Sequence, residues 1–127
     1  MKKTFKVYHT KNWALNANLH SANLDEYKPK ESDYELVAYC ECTLGETFHL
    51  TNHIDTAWWD NEGVTKVKES RSTSVGDVVE DCRTGKLWLV AGVGWCESSW
   101  GDGLSPDKIR IPMHIPIDEK PSEGFQI

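Results

Sequence analysis

No apolar run in this sequence approaches the ~18 residues of a membrane-spanning helix, so a helical span is excluded. The start Met-Lys-Lys-Thr-Phe-Lys is charged, but the apolar stretch of a signal peptide does not follow it, which points to a cytoplasmic protein. There is no internal repeat and no low-complexity tract. At 39% apolar and 27% charged residues the chain is neither disordered nor collagen-like. Several chemical signatures are missing as well. No pair of C-x-x-C knuckles occurs, and no H-E-x-x-H. Gly92-Val93-Gly94 is rich in glycine, but no helix signal follows it, so it is no phosphate cradle.

What is present is a chain of 127 residues, long enough to bury a core without staples and read as a single domain over 1–127. Lys2, Lys3, Lys6 and Lys11 put +4 on residues 1–12, which leaves −10 on the remainder of a chain whose net charge is −6. An acidic body repels phosphate, so direct nucleic-acid binding is disfavoured. It suits a basic partner surface, or simply solubility. Cys40, Cys42, Cys82 and Cys96 read as free, buried thiols in a reducing compartment. Cys40 and Cys42 face the same side of a strand, and all four together make a conceivable zinc set of unusual spacing.

Hydrophobic patterning gives the elements. Strands are expected over 5–9, 34–43, 64–69, 75–82 and 87–91. Residues 12–24 fit a helix or a loop. Thr43 and Glu46 form a capping box before Leu44, Phe48 and Thr51, so a helix is predicted over Leu44–His53. Residues 56–63 form a turn with two adjacent tryptophans. Arg83–Lys86 makes a hairpin turn, and Gly92 and Gly94 bend or bulge the strand before Trp95. Ile109, Ile111, Met113, Ile115 and Ile117 alternate with Arg110, Pro112, His114 and Pro116. The prolines share one face, so 109–127 reads as an extended edge strand or arm, able to join its own sheet or a second chain. The whole is α+β: an antiparallel sheet of about four to six strands packed on one main helix.

The stretch from Phe48-His-Leu-Thr-Asn-His-Ile-Asp through Trp58-Trp59 to Arg71-Ser-Thr-Ser-Val-Gly-Asp-Val-Val79 resembles small phage and mobile-element proteins. They share an F-x-L-T-N-x-I helix, a Trp-rich turn and an R-S-x-S-V-G-D-V hairpin, as in the YodL-like module. The resemblance covers about 37–97. It implies a phage or mobile-element accessory protein acting in a bacterial cytoplasm, and it carries over no catalytic residues. The residues have a structural reading too. Ser72 and Ser74 bond nearby backbone, Gly76 takes a conformation closed to other residues, and Asp77 accepts backbone N–H groups.

Candidate chemistry is sparse. His49 and His53 sit at i, i+4 on the expected helix, a ligand spacing without further ligands, so no metal or cofactor is expected. Cys82 or Cys96 with a distant His has no supporting motif. The pairs Asp60 with Glu62 and Glu80 with Asp81 fit a solvated surface. Six tryptophans are many for a core of this size. Trp88 reads as core. Trp58, Trp59 and Trp100, beside Asp60 and Asp102, read as a protein-binding surface with at least one exposed ring, Trp58 and Trp59 not both being buried. The leading expectation is a binding protein that docks on a host or phage protein and blunts host defence. The alternatives are a small enzyme or ligand-binding protein with a pocket near the Trp58-Trp59 turn and His49/His53, and a homo-oligomer joined through 109–117.

Overall fold

A computed structural model describes residues 3–53 and 56–111. The chain runs through β1 (Lys3–Thr10), α1 (Trp13–Leu19), β2 (Tyr34–Cys42), α2 (Leu44–Leu50), β3 (Val64–Lys66), β4 (Val78–Asp81), β5 (Leu87–Val90) and β6 (Trp95–Ser98). The strands form one antiparallel sheet of order β3-β2-β1-β4-β5-β6. The fold class is α+β, a single small domain with six strands and two helices among the described residues. No helix among the described residues is long and apolar enough to cross a membrane.

Strand parity distributes the core over both faces of the sheet. Phe5 and Val7 of β1, Cys40 and Cys42 of β2 and Val79 of β4 cluster under Leu44 and Leu50 of α2 and the Trp58 turn. Val78, Leu87 and Leu89 pack on the other side against Leu15 and Leu19 of α1, with Tyr27 and Tyr34. The register of β1 on β2 slips once, from Val7↔Ala38 to Tyr8↔Leu36. Val37 is thereby left over as a bulge, and its carbonyl accepts the N–H groups of Val67 and Lys68. The slip changes the inward parity of β2, so Cys40 and Tyr34 serve opposite cores although both are buried.

The two helices have different origins in the sequence. The capping box of α2 is present, with Thr43 Oγ1 accepting from the Glu46 N–H and Glu46 Oε1 from the Thr43 N–H. The helix stops at Leu50, short of the expected His53. Thr51 caps it with φ −108° and ψ 29°, and its hydroxyl is bonded to Thr47 O and Thr73 Oγ1, which pulls the chain off the helical path. The segment that patterning left open forms α1, where Asn12 Oδ1 accepts the Ala14 N–H and Leu15 and Leu19 are buried one turn apart.

Two expected strand features differ. Gly92 and Val93 form the tip of a tight reversal rather than a bend, closed by Ala91 N–H to Gly94 O at 3.1 Å, with Gly94 at φ +75°. The reversal creates β6 as a separate strand. Ile109 and Ile111 are half-buried and outside any strand, because Asn18 takes up the Arg110 and Ile111 amides. The remainder of the expected arm, 112–127, lies outside the described residues.

Replacing Thr43 by Ala removes a cap from a short helix and is expected to cost about 1 kcal/mol. Urea denaturation of wild type and variant measures it, with the slope unchanged.

Candidate functional site

The R-S-x-S-V-G-D-V segment folds around one carboxylate. Asp77 is fully buried at the start of β4. Its Oδ1 accepts from Thr10 N–H at 3.0 Å, Arg71 Nη2 at 2.9 Å and Asn16 Nδ2 at 3.3 Å. Its Oδ2 accepts from Arg71 Nη1 at 2.6 Å and Ser74 N–H at 2.7 Å. The Arg71 fork also donates to Thr10 Oγ1, Asn16 Oδ1 and Ser72 O. Gly76 stands at φ +93°, and a Cβ there would lie 2.6 Å from Leu19 Cδ1, so both backbone and packing demand glycine.

His9 lies beside this knot, also fully buried. Its Nδ1 is 2.9 Å from Ser70 Oγ and its Nε2 2.8 Å from Thr73 Oγ1, with Asp77 Oδ2 3.9 Å from Nε2. Burial lowers its pKa from 6.5 to about 4, and Arg71 adds to this against Asp77. The group superficially combines hydroxyl, imidazole and carboxylate. A relay needs the carboxylate to orient the base, but Thr73 takes the Nε2 bond and Arg71 engages both Asp77 oxygens. An imidazole with a pKa of about 4 is also a poor base at neutral pH. The cluster is a structural clamp joining β1, α1 and the 70–77 loop, not a catalytic centre.

The residues expected to bind are dispersed. Trp58 is fully buried, and its indole N–H donates to Ser70 O and Arg71 O, both at 3.0 Å. It therefore fixes the loop that carries the clamp. Trp59 is half-buried, packed edge-on against Trp58 at 5.1 Å and with Lys66 Nζ 5.6 Å from its ring centre. Trp100 is half-buried on the opposite face of the sheet, edge-on to Tyr8 and Tyr34. Trp58 and Trp59 are indeed not both buried, but the ring that stands exposed is Trp13, at 44%. Asp60 and Asp102 are exposed, and Asp60 Oδ2 accepts from Thr56 Oγ1 at 3.5 Å. Trp88, expected in the core, is half-buried with Lys86 Nζ 5.6 Å from its ring centre.

Other candidates separate likewise. His49 is on α2 and His53 is not; His53 Nδ1 accepts the Trp58 N–H at 3.1 Å, and its ring stacks on Trp58. Cys40 and Cys42 share a buried face, whereas Cys82 is exposed and Cys96 half-buried, so only two of the four are core thiols. Cys96 lies in the α1-side cluster, away from Cys40 and Cys42. Among the described residues no group of three or more His, Cys, Asp or Glu could hold a metal ion. Ser72 Oγ accepts from the His53 N–H at 2.9 Å, tying the loop to the end of α2, while Ser74 contributes its N–H to Asp77.

Patterning did not single out His9, Asn16, Asn18 or the Arg71 fork. The one available signal was Arg71 six residues before Asp77 within the quoted motif.

Two hollows flank α2 on the side of β4–β6. One, of about 370 Å³, lies between Thr43, Leu44, Arg83, Lys86 and Trp88. The other, of about 240 Å³, lies between Gly45, Phe48, Val90 and Trp95 and the glycine-rich β5–β6 turn. Phe48 is 40% exposed on the wall and Val93 95% exposed at the rim. No protein-family model, curated protein or solved structure matches this chain.

His9 charges more readily in the unfolded chain than in the folded one. Its contribution to stability is therefore complete above about pH 6.5 and is lost as pH falls towards about 4, on the order of 3 kcal/mol in all. Urea midpoints between pH 7 and 4 should fall steeply in wild type and less in His9→Gln. Arg71→Ala, which leaves Asp77 buried without its cation, is expected to cost about 3 kcal/mol at neutral pH by the same measurement.

Proposed function

We propose that the protein is a binding module that docks on another protein through the α2 face of its sheet. One observation carries this reading. α2 packs over β1 and β2 and leaves Trp88 and Trp95 flooring two hollows beside the exposed Phe48. Aromatic side chains around an open apolar hollow are the composition of interface hot spots. The hollow beside Trp88 has a rim of mixed charge, Asp81 with Arg83 and Lys86, and Lys86 Nζ is 3.5 Å from Glu97 Oε2. The partner that fits presents an apolar side chain to the Phe48–Trp95 hollow and polar groups to the mixed rim beside Trp88.

The resemblance of 37–97 to small phage and mobile-element proteins supports an accessory role in a bacterial cytoplasm, with a host or phage protein as partner and host defence as the process affected. The docking surface proposed here replaces the Trp58, Trp59 and Trp100 set, whose rings support the two cores.

Quantitative capture from infected host cells, compared across variants, tests the reading. Phe48→Ala and Val93→Asp should each lower recovery of the same partner by about tenfold, with melting temperature nearly unchanged. Trp13→Ala should leave recovery unaltered. Equal capture by all the variants would place the contact elsewhere.

A further inference from the structure

The two edges of the sheet are unlike. β3 is three residues long, includes Lys66, and leads to Lys68, whose Nζ donates to Glu35 Oε1 at 2.7 Å. Short, lysine-bearing edges resist pairing. β6 has four residues and Glu97 as its single charge. The ladder decides which of its peptide groups face outward. Asp81 N–H donates to Lys86 O and Val90 N–H to Asp77 O, both at 2.9 Å, so residues 86, 88 and 90 bond towards β4. Ala91 N–H donates to Gly94 O at 3.1 Å, so residues 87, 89 and 91 bond towards β6. Leu89↔Cys96 and Leu87↔Ser98 are therefore the hydrogen-bonded pairs of β5 and β6. The peptide groups of Trp95 and Glu97 point out of the sheet.

The side chains of the same two residues belong to the α2 face. Cys96 packs with the α1-side cluster, and strand parity turns its neighbours to the opposite side. Trp95 lines the hollow of about 240 Å³ together with Phe48 and Val90. Hollow and edge thus share one residue, the hollow through its ring and the edge through its peptide group.

We propose that the partner of the α2 face adds an extended segment to β6 as a seventh strand, which rests on the docking reading of the hollow and gives the form in which the partner arrives. A strand laid beside β6 bonds Trp95 and Glu97 through alternate residues, and the side chains of those residues point to the α2 face. The one opposite Trp95 closes the open side of the hollow, a place for a β-branched apolar side chain. Main-chain bonds then hold the segment, and the hollow selects its sequence. A second copy of β6 is a poorer occupant. Each chain has a net charge of −6, so copies repel. Antiparallel pairing centred on Cys96 would also bring together two Asp25 carboxylates, each 3.3 Å from its own Cys96 Sγ.

Amide hydrogen exchange of the full chain, read residue by residue, tests the proposal. In the free protein Cys96 and Ser98 should be protected, and Trp95 and Glu97 should exchange at least about tenfold faster. The probe is a synthetic seven-residue peptide, blocked at both ends, that alternates threonine with isoleucine. Adding it should slow Trp95 and Glu97 and leave Cys96 unchanged. Glu97→Pro removes one outward N–H without touching the ladder to β5, and should weaken peptide binding by about tenfold. Glu97→Gln keeps that N–H and should bind as wild type does. Trp95 and Glu97 amides already protected in the free protein would overturn the proposal, because the edge would then be filled by the chain itself or by a second copy. A peptide that leaves both amides fast, or equal binding by the proline and glutamine variants, would overturn it as well. Failure of the docking reading shows separately, as equal partner capture by wild type and Phe48→Ala.

Discussion

The Asp77 carboxylate is the constraint on which the rest of this fold depends. A buried anion is tolerated only when its lone pairs are met, and here five donors meet them. Those donors come from β1, from α1 and from the loop between β3 and β4. The ion pair therefore sets where separate parts of the chain lie relative to one another. The hydrophobic contacts on the two faces fill the space so defined. Trp58 takes part in the same arrangement, since its indole holds the carbonyls of Ser70 and Arg71 and so keeps the guanidinium aimed inward. His9 completes the shell with hydroxyl partners, and burial lowers its pKa so that it stays neutral at neutral pH.

This economy explains why so many tryptophans fit a small domain. A sheet covered on both faces has two cores, and each takes its own aromatic rings. Trp58 and Trp59 serve one and Trp100 the other, so residues that look like a single surface cluster in the sequence are separated by the thickness of the sheet. The face that remains open is the one over β4–β6, where the short α2 does not reach. Its apolar floor, Trp88 and Trp95, comes from alternate positions of two hairpin strands and not from the tryptophan-rich turn.

Local signals carried much of the fold. The Thr43/Glu46 box is complete within four residues, strand alternation shows in β1 and β2, and β5 stands out as a short run that is apolar throughout. What patterning could not show was tertiary. The seven residues of α1 hold four asparagine or alanine positions that suit a loop equally well, and the helix is settled by burial of Leu15 and Leu19 and by the contacts of Asn16. The end of α2 is decided by Thr73, more than twenty positions away. The candidate site was least legible of all. Exposure of an aromatic ring depends on what folds over it, and neither the burial of Trp58 nor the openness beside Phe48 leaves a mark on neighbouring residues.

The central strand of the sheet is also the first to be made. β1 pairs with β2 on one side and with β4 on the other, and Tyr8 meets Glu80 across 72 positions of sequence. During synthesis β1, β2 and β3 can assemble while the second flank of β1 has no partner, for a time on the order of one to three seconds at ordinary elongation rates. Asp77 and β4 arrive together, so the buried anion and the strand that closes the flank enter in one step. The loop closure is long and its entropy is spent late. The nascent chain thus passes through a half-sheet with a bare central strand that carries Lys6, a charge of the kind that disfavours edge pairing between neighbouring chains.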